Sequence, residues 1–388
     1  MFRFVSSAAL ALVFAAGCSA PSDTDNGASS DEVKNQGAFE TAGGWKHTKV
    51  TAFVGRAAAL RTEDGKPSEL VWLADKHGDD RPALHTAAFG ASQWKADAPS
   101  ALSSGTSVGA ISFGNKSTVV ARMTDSLEPK VEIAEKATSG FTTSTLALPL
   151  AADEEAYNVA VAHDTKGTAG VAVVTRNVFG GPKARLFVTS GKTPALVAEE
   201  KDDVWRVALA YGSDGKAHLF AAMDAGLVHY APVGATWKRE IVTGSEGGAS
   251  ELAAVSGPNG DISVAFSNKA YEVRVAETRG GALKAGDAIY PFDVLTPARA
   301  IKLAVDAKGG LHLAVAKEDR SETTILLLEK TAQDWTDATP VSAPTFGQVL
   351  LYDVRADGGK TFVTYAQSTK PTPKVPEPGT LDLLVANH

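Results

Sequence analysis

Short stretches in which apolar and polar residues alternate recur from Ala57 to the end of the chain, and they come in pairs joined by a glycine-containing turn. Alternation with a period of two residues predicts β-strands with one buried face, so each pair predicts a hairpin. The pairs are Ala57–Arg61 with Leu70–Ala74, Val108–Phe113 with Thr118–Ala121, Val159–Ala162 with Gly170–Val174, Val207–Tyr211 with His218–Ala222, Leu252–Val255 with Ile262–Phe266, Ile301–Val305 with Leu311–Val315, and Val349–Val354 with Thr361–Tyr365.

The turns inside these pairs recur at a nearly constant interval of 45 to 53 residues. Asp-Gly or Asn-Gly stands at several of them, which suits a tight hairpin because such a turn needs positive φ. A fixed period of this length indicates a chain built from equivalent structural units. The turn glycines are Gly65, Gly114, Gly167, Gly215, Gly260, Gly309 and Gly359.

Each unit continues with a third apolar stretch, and three units continue with a fourth that opens on Trp94, Trp237 or Trp335. Seven units of four short antiparallel strands resemble a seven-bladed β-propeller, an all-β fold. A pair of β-sandwiches and an all-β solenoid are the alternatives, and the regular period argues against both. The third stretches are Ala83–Phe89, Val131–Ala134, Arg185–Thr189, Val228–Ala231, Tyr271–Val275, Thr324–Leu328 and Leu381–Val385.

The two ends of the repeat region complement each other. The seventh unit stops at His388 after its third strand, whereas Trp45–Val50 has the Trp-Lys opening of a fourth strand and no unit of its own. We therefore predict that this N-terminal segment completes the last blade, which would remove an exposed sheet edge. The propeller is expected to comprise residues 44–388.

The N-terminal region has the layout of a secretory signal: Arg3, an apolar run from Phe4 to Ala16, small residues and then Cys18. The sequence Ala-Ala-Gly-Cys18 resembles the cleavage site of bacterial lipoproteins. That resemblance implies removal of residues 1–17, a lipid anchor on Cys18 and, from Ser19, sorting to the outer membrane of a Gram-negative bacterium. An ordinary signal peptide with a chance cysteine is the alternative. Residues 18–43 are polar and acidic, and they predict a flexible tether between lipid and propeller.

The composition limits the classes of molecule that this protein is expected to bind. A net charge of −7 disfavours nonspecific nucleic-acid binding, and a single cysteine permits no intramolecular disulfide. The sequence lacks a phosphate-binding loop, a dinucleotide-binding fingerprint and a nucleophile elbow, so we predict no cofactor. We expect a monomer that contacts the membrane through the lipid on Cys18 and binds an envelope protein or a polysaccharide.

The loops between second and third strands carry most of the candidate binding residues. These loops are charged, although exposure alone makes many loops polar. His77 with its neighbouring aspartates has the residue types of a divalent-ion loop, but a solvated acidic loop explains them better, and we predict no metal site. The candidate binding residues are Asp75, His77, Asp79, Arg81, Arg122, Asp125, Arg176, Asp224, Lys317, Asp319 and Arg320.

Arginines near the starts of inner strands are the candidates for the central funnel. The chain is only distantly similar to sialidase propellers, since it lacks their Ser-x-Asp-x-Gly-x-x-Trp turn. Their carboxylate grip uses three arginines, because a guanidinium binds a carboxylate through two parallel hydrogen bonds. Arg56 and Arg206 lie nine residues before their turn glycines and are predicted to face the channel. Arg299 lies ten before its own and is predicted to face away.

The sequence thus predicts a binding or scaffold module for protein or glycan partners. A polysaccharide hydrolase or lyase with its site in the funnel is the alternative, and it would need two converging carboxylates. The acids best placed by loop position are Asp75, Asp125, Asp224 and Asp319.

Overall fold

A computed structural model describes residues 39–40, 44–53, 55–74, 83–90, 93–102, 105–115, 117–125, 130–137, 140–177, 183–189, 193–278, 282–289, 297–319, 322–331, 334–342, 345–346, 349–368 and 381–388. These residues contain strands and turns but no helix. No membrane-spanning helix is found in this part of the chain. The predicted signal peptide, Cys18 and nearly all of the predicted tether lie outside the described residues.

Thirty-one strands, numbered along the chain, form the seven sheets. Two strands precede the first complete blade, namely β1 (Phe39–Glu40) and β2 (Lys46–Phe53). Blade 1 contains β3 (Gly55–Glu63), β4 (Lys66–Ala74), β5 (Ala83–Gly90), β6 (Gln93–Ala96) and β7 (Ser100–Ala101). Blade 2 contains β8 (Gly105–Phe113), β9 (Thr118–Asp125), β10 (Val131–Ala137) and β11 (Gly140–Leu146).

The next three blades repeat the four-stranded plan. Blade 3 contains β12 (Glu154–His163), β13 (Ala169–Asn177), β14 (Ala184–Thr189) and β15 (Ala195–Glu200). Blade 4 contains β16 (Val204–Tyr211), β17 (Ala217–Met223), β18 (Gly226–Val233) and β19 (Thr236–Ile241). Blade 5 contains β20 (Leu252–Ser256), β21 (Ile262–Ser267), β22 (Val273–Glu277) and β23 (Lys284–Ala285).

Blade 6 and the last blade follow. Blade 6 contains β24 (Ala298–Val305), β25 (Leu311–Asp319), β26 (Glu322–Glu329), β27 (Thr339–Pro340) and β28 (Thr345–Phe346). Blade 7 contains β29 (Leu350–Asp357), β30 (Lys360–Ser368) and β31 (Leu381–Asn387) together with β2 and β1. Every blade pairs its strands antiparallel, from the inner strand outward. The prediction of a seven-bladed all-β propeller is confirmed.

The N-terminal strand closes the ring, as the sequence predicts. Strand β2 pairs antiparallel with β31, from Lys46 opposite Asn387 to Phe53 opposite Leu381. Trp45, just before β2, is 1% exposed and packs in the core between blades 6 and 7. The buried imidazole of His47 is hydrogen-bonded through Nδ1 to the Tyr365 hydroxyl at 2.8 Å. The first and last segments of the repeat region are therefore parts of one sheet.

The core of the protein lies between neighbouring blades, because each sheet has two faces and one blade cannot cover both of its own. Phe220 of blade 4 and Phe266 of blade 5 are fully buried in one such layer. Phe362 of blade 7 meets Trp72 of blade 1 in another, which spans the point of closure. Alternating positions of each inner strand consequently face the preceding and the following blade.

The second turn differs from the other six. Gly65, Gly167, Gly215, Gly260, Gly309 and Gly359 all have positive φ, as hairpin turns require. Gly114 does not, and its role is close packing: a Cβ there would lie 2.6 Å from Cδ2 of His163 in blade 3. A glycine at this turn is needed because two blades approach each other closely.

The fourth strand of blade 6 departs from the sequence expectation. The sequence places its start at Trp335, but Trp335 only forms a bridge with Lys330. Thr331 and Asp334 close this turn through hydrogen bonds, with the Asp334 amide donating to Oγ1 of Thr331 at 3.0 Å. Pairing with β26 resumes only at Thr339–Pro340.

Candidate functional site

The inner strands of the seven blades surround a central channel of about 1660 Å³. These strands contribute alanines together with larger apolar residues such as Ile111, Leu209 and Leu303. Among the side chains that the structure describes, the titratable ones that line the channel belong to blades 4 to 7, apart from His163 of blade 3. The channel is therefore the concave surface of the propeller on which polar groups from different blades converge.

A β-bulge recurs near the start of six of the seven inner strands, where two inner-strand residues oppose one residue of the second strand. Such a bulge re-aims the extra side chain and shifts the alternation of the strand by one residue. The bulged residues are Arg56, Ser107, Tyr157, Trp205, Arg299 and Tyr352.

When the inner strands are aligned on these bulges, and β20 on its hairpin turn, equivalent channel-lining residues fall at two heights along the channel. We call these heights the first and the second level. The first level holds Ala57, Val108, Asn158, Arg206, Glu251, Ala300 and Asp353. The second level holds Ala59, Ala110, Ala160, Ala208, Ala253, Lys302 and Arg355. We call Ala57, Ala59, Val108 and Ala110 the small-residue sector, and Arg206, Glu251, Lys302, Asp353 and Arg355 the charged sector.

Most charges of the channel are paired. Arg206 Nη2 lies 3.7 Å from Glu251 Oε1, which joins blades 4 and 5. Arg355 Nε donates to Asp353 Oδ2 at 2.9 Å within blade 7, and the backbone amide of Leu60 in blade 1 donates to the same oxygen at 2.9 Å. These contacts fix the carboxylates and guanidiniums of the charged sector in place.

The bulged Arg299 forms a further pair beside the charged sector. Its Nε donates to Glu318 Oε2 at 2.5 Å, and this contact raises the pKa of the guanidinium. Arg299 is more than half exposed, so one side of the guanidinium remains open to the channel. This pair therefore extends the charged wall toward the end of the channel where the inner strands begin.

Lys302 is the exception to this pairing of charges in the channel. It has no hydrogen bond or ion pair within 4 Å among the residues described by the structure. Loss of hydration lowers the pKa of its half-buried ammonium, and the charge of Arg206 acts in the same direction, while Asp353 and Glu251 oppose it. An unpaired ammonium at this depth is unfavourable unless it meets an anion, so Lys302 is the natural contact for an anionic group.

The pKa of Glu251 shifts in the opposite direction to that of Lys302. Burial raises the pKa of this carboxyl group, although Arg206, Lys302 and Arg299 all favour its charged form. An amine and a carboxyl group with opposite shifts thus lie in one sector of the channel. Perturbed titratable groups that converge in a cleft mark candidate functional sites.

The structure corrects the expectation for Arg299. Counting back from the turn glycine places it on the outer face, but the bulge between Ala298 and Ala300 changes the alternation, and Arg299 lines the channel. The same bulge count makes Arg56 equivalent to Arg299 and Trp205 rather than to Arg206. The backbone of Arg56 lies in β3, and its side chain is outside the described part. Arg206 lines the channel.

Arg122 is not a loop residue, contrary to the prediction. It lies within β9 opposite Glu132 of β10, is 2% exposed, and forms an ion pair with that glutamate. Strand β9 extends to Asp125, four residues beyond the predicted end at Ala121, and the cross-strand ion pair stabilises this part of the sheet. Its contribution is therefore to the interior of blade 2.

Of the other residues predicted to lie in loops, Asp224 lies in a turn, whereas Arg176 lies in β13 and Lys317 and Asp319 lie in β25. Arg176, still in β13, binds Glu155 at 2.6 Å and lies 4.8 Å from the ring centre of Tyr157. Asp224 is half exposed, and hydrogen bonds from Lys269 and Trp205 lower its pKa. None of these predicted residues is among those that line the channel: Arg122, Arg176, Asp224, Lys317 and Asp319.

Several predicted residues cannot be placed. Asp125 ends β9, and nothing is described of its side chain. Asp75, His77, Asp79, Arg81 and Arg320 lie outside the described residues.

Sequence reasoning missed Glu251, Lys302, Asp353 and Arg355. A signal was present: five units carry alanine at the second channel level, and the other two carry Lys302 and Arg355. Finding it requires aligning the units on their bulges, and a bulge is not visible in the alternation of a single strand.

No protein-family model matches this chain, and no curated protein matches it. Solved structures of similar fold include "YCF48 bound to D1 peptide", at 12% identity and a TM-score of 0.49, over 89% of this chain and 94% of that one. The SapL1 lectin in complex with alpha methyl fucoside is 15% identical, with a TM-score of 0.45, over 75% and 97%. AofleA from Arthrobotrys oligospora is 9% identical, with a TM-score of 0.44, over 79% and 93%. The assignment of seven blades rests on the strand pairing of this chain itself.

Proposed function

We propose that this protein is a binding module of the cell envelope that holds a protein or glycan partner in the channel of its propeller. The observation that carries the proposal is Lys302, an ammonium without an ion-pair partner among the described residues, in a sector where the neighbouring charges are paired. A ligand anion would supply the missing partner, and the loss of water from the channel would strengthen that contact.

The envelope location is part of this proposal. It is supported by the signal-like segment Phe4–Ala16 and by Cys18 with Ser19 after it, which resemble an outer-membrane lipoprotein. Metabolic labelling with a fatty-acid analogue should mark the protein and should fail in Cys18→Ala. Release of an unlabelled wild-type protein into the soluble periplasm would contradict the anchor.

A pull-down from envelope extracts tests the binding role. The full chain in detergent serves as bait beside Lys302→Met, which keeps the length of the side chain but removes its charge. Lys308→Met, at an exposed hairpin turn, is the matched control. We expect a ligand retained by wild type and Lys308→Met and lost by Lys302→Met. Equal retention by all three baits, or by none, would contradict binding at the charged sector.

A second candidate function is a polysaccharide hydrolase or lyase, favoured by the raised pKa of Glu251. A general acid needs such a shift, and hydrolysis of a glycosidic bond needs a second carboxyl group about 5–10 Å away. Asp353 lines the same channel and interacts electrostatically with Lys302, as Glu251 does. Release of reducing ends from envelope polysaccharide, abolished in Glu251→Gln, would favour this function. Binding without turnover would contradict it.

A further inference from the structure

An exposed tryptophan precedes Arg206 of the charged sector and lies just outside the residues that line the channel. Trp205 occupies the bulge of blade 4 and is 40% exposed. Its indole Nε1 donates to Asp224 Oδ1 at 3.2 Å, and Lys269 Nζ of blade 5 lies 3.1 Å from the same oxygen. The polar edge of the indole is thus occupied, and the apolar part of the ring is what remains for a ligand.

Trp205 is connected directly to the charged sector. Arg206 Nη1 donates to the Trp205 backbone oxygen at 3.0 Å, and the same guanidinium approaches Glu251. Glu251 in turn interacts electrostatically with both Lys302 and Arg299. The aromatic ring, the three cations and the carboxylate therefore lie near one another across blades 4 to 6, and we call them one patch.

Tyr271 stands next to this patch in a conformation that bulky residues rarely adopt. Its φ is 62°, in the left-handed region. The turn is held by the Tyr271 amide, which donates to the Asn268 oxygen at 2.9 Å, and by the Glu272 amide, which donates to Asn268 Oδ1 at 2.9 Å. Tyr271 interacts electrostatically with Arg299. Backbone strain of this kind clusters at ligand-binding sites.

We infer that the ligand of this patch is an acidic glycan, a saccharide chain whose sugar ring lies against Trp205 and whose carboxylate meets Lys302, Arg206 and Arg299. This inference rests on the proposed function and names the class of ligand for the same site. An indole presents a large, rigid apolar face, which matches the carbon–hydrogen face of a sugar ring. Ammonium and guanidinium groups supply the donors that a carboxylate requires.

The channel wall favours a saccharide over an acidic peptide. Protein partners are anchored by large side chains that fill dry apolar pockets. At its first and second levels the wall offers alanines, Val108, Asn158 and fixed charge pairs instead of large apolar side chains. Sugar hydroxyls both donate and accept hydrogen bonds, so they suit neighbouring carboxylates and guanidiniums such as those of Glu251, Arg206 and Arg299.

Calorimetric titration of the full chain in detergent tests the inference with three probes: an oligogalacturonate, the same oligosaccharide with its carboxyl groups reduced to alcohols, and polyglutamate. We expect binding of the oligogalacturonate and at least tenfold weaker binding of the other two. Trp205→Ala and Lys302→Met should each weaken oligogalacturonate binding at least tenfold. Ile241→Ala, which removes an exposed apolar side chain from the outermost strand of blade 4, should leave it unchanged.

The other outcomes overturn the inference. Equal binding of the reduced oligosaccharide removes the role of the carboxylate, and equal binding of polyglutamate assigns the patch to an acidic peptide. If no saccharide binds but the pull-down still yields a ligand lost in Lys302→Met, the glycan assignment fails while the proposed function stands. If both experiments are negative, the proposed function fails as well.

Discussion

Two sectors of the same channel wall occupy equivalent positions and differ completely in chemistry. Blades 1 and 2 present Ala57, Ala59, Val108 and Ala110, whereas the equivalent positions of blades 4 to 7 include Arg206, Glu251, Lys302, Asp353 and Arg355. The repeat therefore determines where a side chain points but not what it is.

The two sectors also differ in what they contribute to stability. Beside the small-residue sector, blades 1 and 2 approach closely: a Cβ on Gly109, between Val108 and Ala110, would lie 2.4 Å from Cδ1 of Leu73. In the charged sector, an unpaired ammonium and a carboxyl group with raised pKa are held out of bulk water. Burying such charges costs free energy. The difference indicates that packing shapes one sector, and under the proposed function a ligand accounts for the other.

Removing strand β2 should have the largest effect, because both sectors require a closed ring. Deletion of Trp45–Val50 exposes the edge of β31 and opens the core around Tyr365. We expect loss of the cooperative unfolding transition and aggregation, measured by thermal denaturation and size-exclusion chromatography. Deletion of residues 19–38 is the control and should leave the transition unchanged. A folded monomer without β2 would contradict the closure.

Acidification should destabilise blade 7, which carries two residues of the charged sector. Burial lowers the pKa of His47 from 6.5 to about 4. Between these values the unfolded chain binds a proton that the folded protein does not, so stability falls as the pH falls from 6.5 to about 4. The full loss from this group is about 3 kcal/mol. Urea denaturation across this range should show a shallower pH slope in His47→Gln than in wild type, and an unchanged slope would contradict the assignment.

Enlarging Gly109, which lies between Val108 and Ala110 of the small-residue sector, should destabilise the protein by an intermediate amount. Gly109→Val places new methyl groups against Leu73, which is 1% exposed and has little room to move. Overpacking of this kind costs about 1–3 kcal/mol in the free energy of unfolding. Urea denaturation measures the loss, and wild-type stability in the variant would show that blades 1 and 2 are not closely packed.

Neutralising Lys302 should have the smallest effect on stability and a large effect on binding. Lys302→Met removes a dehydrated charge and keeps an apolar stem, so we expect a change between zero and about 1 kcal/mol of stabilisation. The same variant should lose its ligand. A destabilisation comparable to that of Gly109→Val would mean that Lys302 serves the fold, and the contrast between the two sectors would disappear.

The architecture could be predicted from the sequence because it depends on local signals repeated seven times. Alternating strands, turn glycines and the Trp-Lys segment at Trp45 were sufficient for the blade count and the closure. The charged sector could not be predicted in the same way. The residues Glu251, Lys302 and Asp353 are far apart in sequence, and they converge only because bulges place them at equivalent levels.

The wrong predictions for Arg299 and Arg122 have the same physical origin. Arg299 was expected to face away because the alternation was counted without its bulge. Arg122 was expected in a loop because polar residues at a strand end resemble a turn, whereas its partner Glu132 lies on the neighbouring strand. The partner of a residue across a sheet and the position of a bulge are set only in the folded structure. The alternation of apolar and polar residues along one strand does not encode them.

Competitive labelling of lysine side chains, read by mass spectrometry, tests the central claim most directly. The account predicts that Lys302 reacts with an amine reagent at lower pH than the exposed Lys308, because its ammonium is dehydrated and has no ion-pair partner within the described part of the chain. It also predicts that oligogalacturonate protects Lys302 and leaves Lys308 unchanged. Equal titration of the two lysines, with no protection of Lys302, would contradict a ligand site in the charged sector.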